Sequence, residues 1–271
     1  FSGDESAYAN GNFQPMKMAA YEGLFEGSEG ADIIAFGILN SGKRFGDGQE
    51  PFAFEVSITK GLSLLAKRDL NAFVPGMNDL VHGNEEQGIM SVAEKMEKGK
   101  AAIADLKAIK AAGKAGDEEA KAAAIERFNV NKDYLGFGYL DTPEEAVPPI
   151  ATTYYSFHVM VYFGSFFILL LLLFLYSAYH DSLEEKRWLL GLGVASFFLA
   201  MIASEFGWVV AEVGRQPWAI QDMLPVKIAS TNIAAGNVIT SFFFFFILIG
   251  ILLLAEIKIM LRQIKLGPEG A

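Results

Sequence analysis

The chain has 271 residues, no cysteine and a formal net charge of −10. Disulfides, zinc–thiolate sites and iron–sulfur clusters are therefore excluded. The acidic balance argues against nucleic acid and anionic lipid heads as partners. Hydrophobic residues make up 52% of the chain but are unevenly placed. Residues 1–150 carry 24 Asp+Glu against 15 Lys+Arg, whereas residues 151–271 carry 8 against 7 and hold the long apolar runs. The first part reads as a water-exposed domain and the second as membrane, with lipid as its surroundings.

In chain order, the start at Phe1 carries no initiator methionine and no signal-peptide pattern. A fragment, a processed chain and one piece of a split subunit all stay open. Residues 13–25 read as a short helix, and 52–65 mix strand-like alternation with an apolar run, so their type is ambiguous. Asn84-Glu85-Glu86-Gln87 resembles a capping box opening a long helix to about Ala112. Gly113–Gly116 is expected to break it, and residues 117–128 to resume helically. Pro143, Pro148 and Pro149 make residues 144–150 a stiff linker into the membrane. There is no internal repeat.

Three apolar spans follow, at about 154–179, 188–213 and 235–260. Each runs about 26 residues, enough to cross about 30 Å of hydrocarbon with some tilt. Lys186 and Arg187 lie in the first connection, and Lys258, Arg262 and Lys265 near the C-terminus fall on the same side. The positive-inside rule places both in the cytoplasm and residues 1–150 outside.

The second span ends in Glu205-Phe-Gly-Trp208-Val-Val-Ala-Glu212-Val-Gly-Arg215-Gln-Pro-Trp218. Glu205, Trp208, Glu212 and Arg215 are spaced i, i+3, i+7 and i+10, one stripe on a helix. A carboxylate at membrane depth costs about 2.5–3.5 kcal/mol on insertion scales, so it needs a partner or a role. By position alone, Glu212 with Arg215 is an interfacial ion pair and Trp208 a belt tryptophan. Met160 alone is apolar filler, and Lys17 with Glu22 a solvated helix surface. Gly46–Gly48 lacks the strand–helix frame of a nucleotide site.

This run resembles the signature of subunit I of the cytochrome bd quinol oxidases. Gln14-Pro-Met-Lys17-Met-Ala-Ala-Tyr-Glu22-Gly23 resembles that family's quinol-loop motif, and Ser156-Phe-His158-Val-Met160 the segment bearing its methionine haem ligand. Leu266-Gly267-Pro268 resembles the end of its last helix. The resemblance runs from Gly3 to Pro268 and covers the C-terminal half of such a subunit.

The resemblance implies an all-α integral membrane protein. Three transmembrane helices (residues 151–271) follow a long, mainly helical extracytoplasmic quinol-binding loop domain (residues 1–150), in a bacterial cytoplasmic (inner) membrane. It implies a quinol:oxygen oxidoreductase that oxidises quinol at the outer face and passes electrons through b haems to an oxygen-reducing haem. Lys17 and Glu22 would serve quinol oxidation, as anchor and proton acceptor. Met160 would be an axial ligand of the low-spin haem b, and thioether sulfur suits such a site. Glu212 would approach the high-spin haem b iron, Arg215 a propionate, and Trp208 would lie between the two b haems. Glu205 reads as haem-facing or as part of a proton path. The third haem would be d or another b. His158 stands where the family commonly has an arginine, which puts the low-spin potential in question; two residues from Met160, it points off the methionine's face. The partners implied are the N-terminal half of subunit I, supplying histidine ligands, a second oxidase subunit, and a small single-span subunit in some assemblies. A haem-free sensor or transporter piece and a non-catalytic paralogue are the other readings.

Overall fold

The computed structural model describes residues 2–231 and 233–266, except the side chains of Ser2 and Asp4. Gly267 and Pro268 of the last motif lie outside the described residues. Two compact units are present, Phe1–Ala229 and Ser230–Ala271.

The first unit opens with two helices, α1 (Ser2–Phe13) and α2 (Pro15–Glu22). Proline at the first helical position suits the start of α2, and Gly23 ends it in the left-handed region at φ 71°. Short antiparallel strands follow: β1 (Ser28–Glu29), β2 (Ile33–Leu39) and β3 (Phe52–Ile58). Strands β2 and β3 form a hairpin, with Gly37 opposite Glu55 and Leu39 opposite Phe52. The ambiguous residues 52–65 thus divide into strand β3 and the start of helix α3 (Gly61–Lys67). The hairpin's connection is folded on Asp47, whose carboxylate accepts from Lys43 and from the backbone N–H groups of Arg44 and Gln49.

Strand β4 (Phe73–Val74) pairs with β1, and helix α4 (Met77–His82) follows. The expected helix start at Asn84 is corrected. Asn84 and Ile89 exchange backbone hydrogen bonds, and the Asn84 side chain accepts from Gln87 N–H, closing a turn. Helix α5 (Val92–Ala115) starts about two helical turns later in sequence, where Ser91 and Glu94 form the capping box. It runs through Gly113 and stops at Gly116, the far end of the Gly113–Gly116 break expected from the sequence. Asp117 caps helix α6 (Glu118–Asn131), as expected from residue 117. Short 3-10 turns at Lys132–Tyr139 and Pro143–Ala146 lead to the membrane helices.

Helix α7 (Ile150–Tyr179) and helix α8 (Arg187–Val213) form an antiparallel pair with a short connection. After α8, strands β5 (Trp218–Ile220) and β6 (Leu224–Pro225) and helix α9 (Val226–Ala229) return to the loop domain. Trp218 is buried edge-on against Phe137, and Gly136 N–H donates to the Asp222 carbonyl. This return segment therefore completes a core with Val81, Val92, Met96 and Leu140.

The second unit contributes helix α10 (Ala235–Leu266), apolar from Val238 to Ala255 apart from Thr240, Ser241 and Gly250, and charged over its last turns. Helices α7, α8 and α10 are the three among the described residues long and apolar enough to cross a membrane. The architecture is thus mainly helical with three candidate spans. Few of their apolar side chains are covered by this chain, as befits lipid or neighbouring helices as surroundings.

Candidate functional site

Helix α2 places the loop residues against α7 and α8. Its buried face, Met18, Ala19, Ala20, Tyr21 and Glu22, packs into two apolar clusters that include Tyr154 of α7 and Val210 of α8. The Tyr21 ring packs tilted against Phe157, with ring centroids 4.3 Å apart.

Lys17 reaches α8. Its Nζ donates to the carbonyl oxygen of Ala211 at 3.4 Å, one of the helix-end carbonyls that a cation favours. Burial lowers the Lys17 pKa, nearby Arg215 lowers it further, and Glu212 opposes both. Glu212 and Arg215 form an ion pair. The Arg215 Nε is buried and has no hydrogen-bond partner. Lys17, Glu212 and Arg215, separated by almost 200 residues of sequence, form one charged cluster where α2 meets α8.

Glu22 sits apart from that cluster. It is 1% exposed, and neither carboxylate oxygen has a hydrogen-bond partner. Burial pushes its carboxyl up to about 8. The next residue, Gly23, admits the Tyr154 and Phe52 rings: a Cβ there would meet Phe52 at 2.7 Å and Tyr154 at 3.1 Å.

His158 is buried, with each ring nitrogen 3.0 Å from a carbonyl oxygen, Nδ1 from Tyr154 and Nε2 from Ile34. Either tautomer donates to one of them. It belongs to a row. Tyr155 Oη accepts from Leu39 N–H at 3.0 Å, and Tyr162 Oη donates to the Ala35 carbonyl at 3.0 Å. Residues 155, 158 and 162 share one face of α7, and this face takes the place of a further strand along β2. Free backbone groups of β2 thereby find partners in side chains of the membrane helix.

Met160 lies deeper on α7. A Cβ built at Gly207 of α8 would stand 3.1 Å from the Met160 Sδ, so the sulfur lies in the seam between the two helices. Trp208 is 63% exposed and Glu205 is also exposed, so neighbours from beyond this chain can reach both. Glu212 and Arg215 are partly covered. The stripe read from the sequence therefore divides: Glu212 and Arg215 pair beside Lys17, while Trp208 and Glu205 face outward. Among the described residues no three His, Asp or Glu side chains cluster as a metal site.

A cleft of about 730 Å³ opens between the turn after α2 and the β2–β3 hairpin. Glu26, Asp32, Glu50 and Glu55 line it, beside Gly23 and Phe52. The sequence reading missed this cleft, Tyr154 and the Tyr155–Tyr162 row. A polar stripe at i, i+3 and i+7 near the start of an apolar span was the available signal for that row.

The family model for cytochrome bd terminal oxidase subunit I matches residues 1–268. The cytochrome bd-II ubiquinol oxidase subunit 1 of Escherichia coli is 30% identical over 277 aligned positions, covering 98% of this chain and 52% of that protein. The cytochrome bd ubiquinol oxidase subunit 1 of Bacillus subtilis is 27% identical, covering 94% and 42%. The bd oxidase structure from Geobacillus thermodenitrificans aligns with a TM-score of 0.60 at 27% identity, over 98% of this chain and 45% of the other. The chain thus spans about half the length of the relatives it matches. With a match along nearly its whole length, the chain belongs to the cytochrome bd terminal oxidase subunit I family.

Proposed function

We propose that this chain is the quinol-oxidising, haem-holding C-terminal half of subunit I in a cytochrome bd quinol oxidase. The observation that carries the reading is the seating of α2 on the ends of α7 and α8, with Lys17 beside Glu212 and Arg215 and Glu22 buried one turn on. The relatives are described as ubiquinol oxidase subunits, and quinol is the substrate class carried over.

Quinol oxidation releases protons as well as electrons. A carboxyl held near neutral pH, such as Glu22, takes up and gives back a proton under ambient conditions, which an ordinary carboxyl does poorly. The Lys17 ammonium, partly desolvated and held at the α8 end, suits anchoring of a ring oxygen.

The donor set fits haem. Met160 offers a soft thioether, as a low-spin haem b axial ligand would. Glu212 offers a carboxylate for the high-spin haem b. Arg215, with a buried Nε lacking a partner, has a donor to spare for a propionate. Trp208 and Glu205 present side chains outward, where a bound group can be flanked. His158 has both nitrogens engaged by carbonyls, so it would act on a neighbouring haem by position and not as an iron ligand. When bound, the two b haems and a third haem, d or b, supply the one-electron chemistry that links quinol to oxygen.

The remaining histidine ligands would come from the N-terminal half of subunit I, and the assembly would include a second subunit, a small single-span subunit in some complexes, and lipid. The loop domain, residues 1–150, would face outward from a bacterial cytoplasmic membrane and the C-terminus inward, as the cationic connections favour. A reduced-minus-oxidised spectrum of the purified complex, wild type against Met160→Leu, tests the reading. We expect a low-spin b signal that the variant loses while still assembling. Absence of haem in the wild type, or an unchanged low-spin signal in the variant, would overturn it or remove Met160.

A further inference from the structure

We propose that Glu22, Tyr154 and Glu55 form a proton relay that carries protons from the quinol site into the acidic cleft beneath the β2–β3 hairpin. The proposal rests on the reading of Glu22 as a quinol-site residue and adds a route and two residues to it.

The geometry starts at two buried polar groups that the fold leaves unused. Neither oxygen of Glu22 has a partner, nor has the hydroxyl of Tyr154, which is 0% exposed. An unpaired buried hydroxyl or carboxyl costs about 1–3 kcal/mol, so each calls for a reason. The Tyr154 ring packs on Gly23, the residue following Glu22, with no direct hydrogen bond between the two polar groups.

The hydroxyl end of Tyr154 points at the hairpin. A Cβ on Gly37 would lie 2.5 Å from Tyr154 Oη, so the hydroxyl occupies the space of the missing side chain. Gly37 is directly opposite Glu55 in the β2–β3 register. Side chains of directly opposed residues share a face, with Cβ atoms about 4.5–5.5 Å apart. Glu55 is thus the cross-strand neighbour of the Tyr154 hydroxyl, and it is exposed and lines the cleft with Glu26, Asp32 and Glu50. Glu22 and Glu55 both act electrostatically on Tyr154, together with Tyr155 and Tyr162, and the His158 ring lies 4.1 Å away between centroids. The three groups therefore run from a dry carboxyl, through a hydroxyl, to a wet carboxylate.

The balance is one proton per passage. Neutral Glu22 gives its proton, through an intervening water, to Tyr154 Oη as the tyrosine hands its own by the same means to the Glu55 carboxylate. The Glu22 carboxylate left behind then takes a proton from a quinol hydroxyl. Glu55 releases its proton to water in the cleft, and all three groups return to their starting states. The quinol's electrons leave by the acceptor of the proposed oxidase and take no part. The elevated pKa of Glu22 suits a group that must both take and yield a proton at neutral pH.

The test uses the purified, membrane-reconstituted oxidase with Tyr154→Phe, Glu55→Gln and Glu22→Gln. Tyr154→Phe removes one oxygen and keeps the ring against Phe52 and His158. We expect turnover with quinol to fall roughly tenfold to a hundredfold in Tyr154→Phe, with unchanged KM, unchanged haem spectra and a larger solvent isotope effect. Proton release, followed with a pH-indicating dye, should slow in parallel. Glu55→Gln, on an exposed strand, should show the same change in smaller measure without risk to the core. Normal turnover and isotope effect in both variants, with Glu22→Gln inactive, would overturn the relay and leave the quinol site standing. Normal turnover in Glu22→Gln would instead remove the quinol-site reading on which the relay depends.

Discussion

Lys17 Nζ donates to the carbonyl oxygen of Ala211, joining α2 of the loop domain to the last turn of a membrane helix. The tie sets the ammonium next to Glu212 and Arg215. In the proposed function, substrate bound by Lys17 would be held near the groups proposed for the haems. Lys17→Gln removes the charge and keeps a donor. We predict a several-fold rise in the apparent KM for quinol with little change in haem content. Steady-state kinetics beside a haem assay checks this, and an unchanged KM would separate Lys17 from the substrate.

The row of Tyr155, His158 and Tyr162 along β2 yields a second prediction. Each of these hydrogen bonds contributes about 0.5–1.5 kcal/mol net. Tyr162→Phe leaves the Ala35 carbonyl without its donor, and Tyr155→Phe leaves the Leu39 N–H without an acceptor. Hydrogen exchange of the β2 amides should quicken by about tenfold in either variant, with haem spectra unaltered. Wild-type exchange in both would show that the hairpin is held by its apolar contacts alone.

Glu22 ties stability to pH. Its folded value of about 8 lies above the ordinary 4.5. The folded state therefore holds a proton that the unfolded chain gives up between these values. Stability from the neutral form is complete below about 4.5 and is lost as pH rises through about 8. Glu22→Gln keeps shape and neutrality at every pH. Its melting temperature should gain on the wild type between about pH 5 and about pH 9, by an amount on the order of a few kcal/mol in stability. Parallel thermal curves across that range would place Glu22 in contact with water.

Glu212 has Arg215 as a partner within this chain. If that ion pair were its whole role, Glu212→Gln would cost about 1 kcal/mol or less, since both side chains are partly exposed. A carboxylate held close to iron supplies charge that an amide does not. We predict that Glu212→Gln depletes the high-spin haem b and nearly abolishes oxygen reduction, with the low-spin haem still reducible by quinol. Full oxygen turnover with wild-type haem content would leave Glu212 as the Arg215 partner only.

The three spans were legible because an apolar run of their length has no other common fate. Lys17, Glu22 and Met160 were legible only through the motifs that carry the family resemblance; by chemistry alone each is ordinary. The β2–β3 hairpin was not legible. Its outer edge is completed by side chains of α7 more than a hundred residues away, for example the 124 that separate Ile34 from His158. Local pattern holds no trace of such a partner. Asn84 misled for a related reason: Asn, Glu and Gln at capping-box spacing also suit a tight turn, and the backbone pairing with Ile89 decided the outcome. Trp218, given no role of its own at the end of its run, closes the core of the loop domain on Phe137.

The central claim is that the loop helix carrying Lys17 and Glu22 delivers quinol electrons to haems held by Met160 and Glu212. Stopped-flow reduction of the purified complex, followed at the separate haem bands in wild type and Glu22→Gln, tests it most directly. The account predicts identical spectra under a strong chemical reductant and reduction by quinol slowed by roughly a hundredfold or more in the variant. Equal rates of reduction by quinol in the two proteins would contradict it.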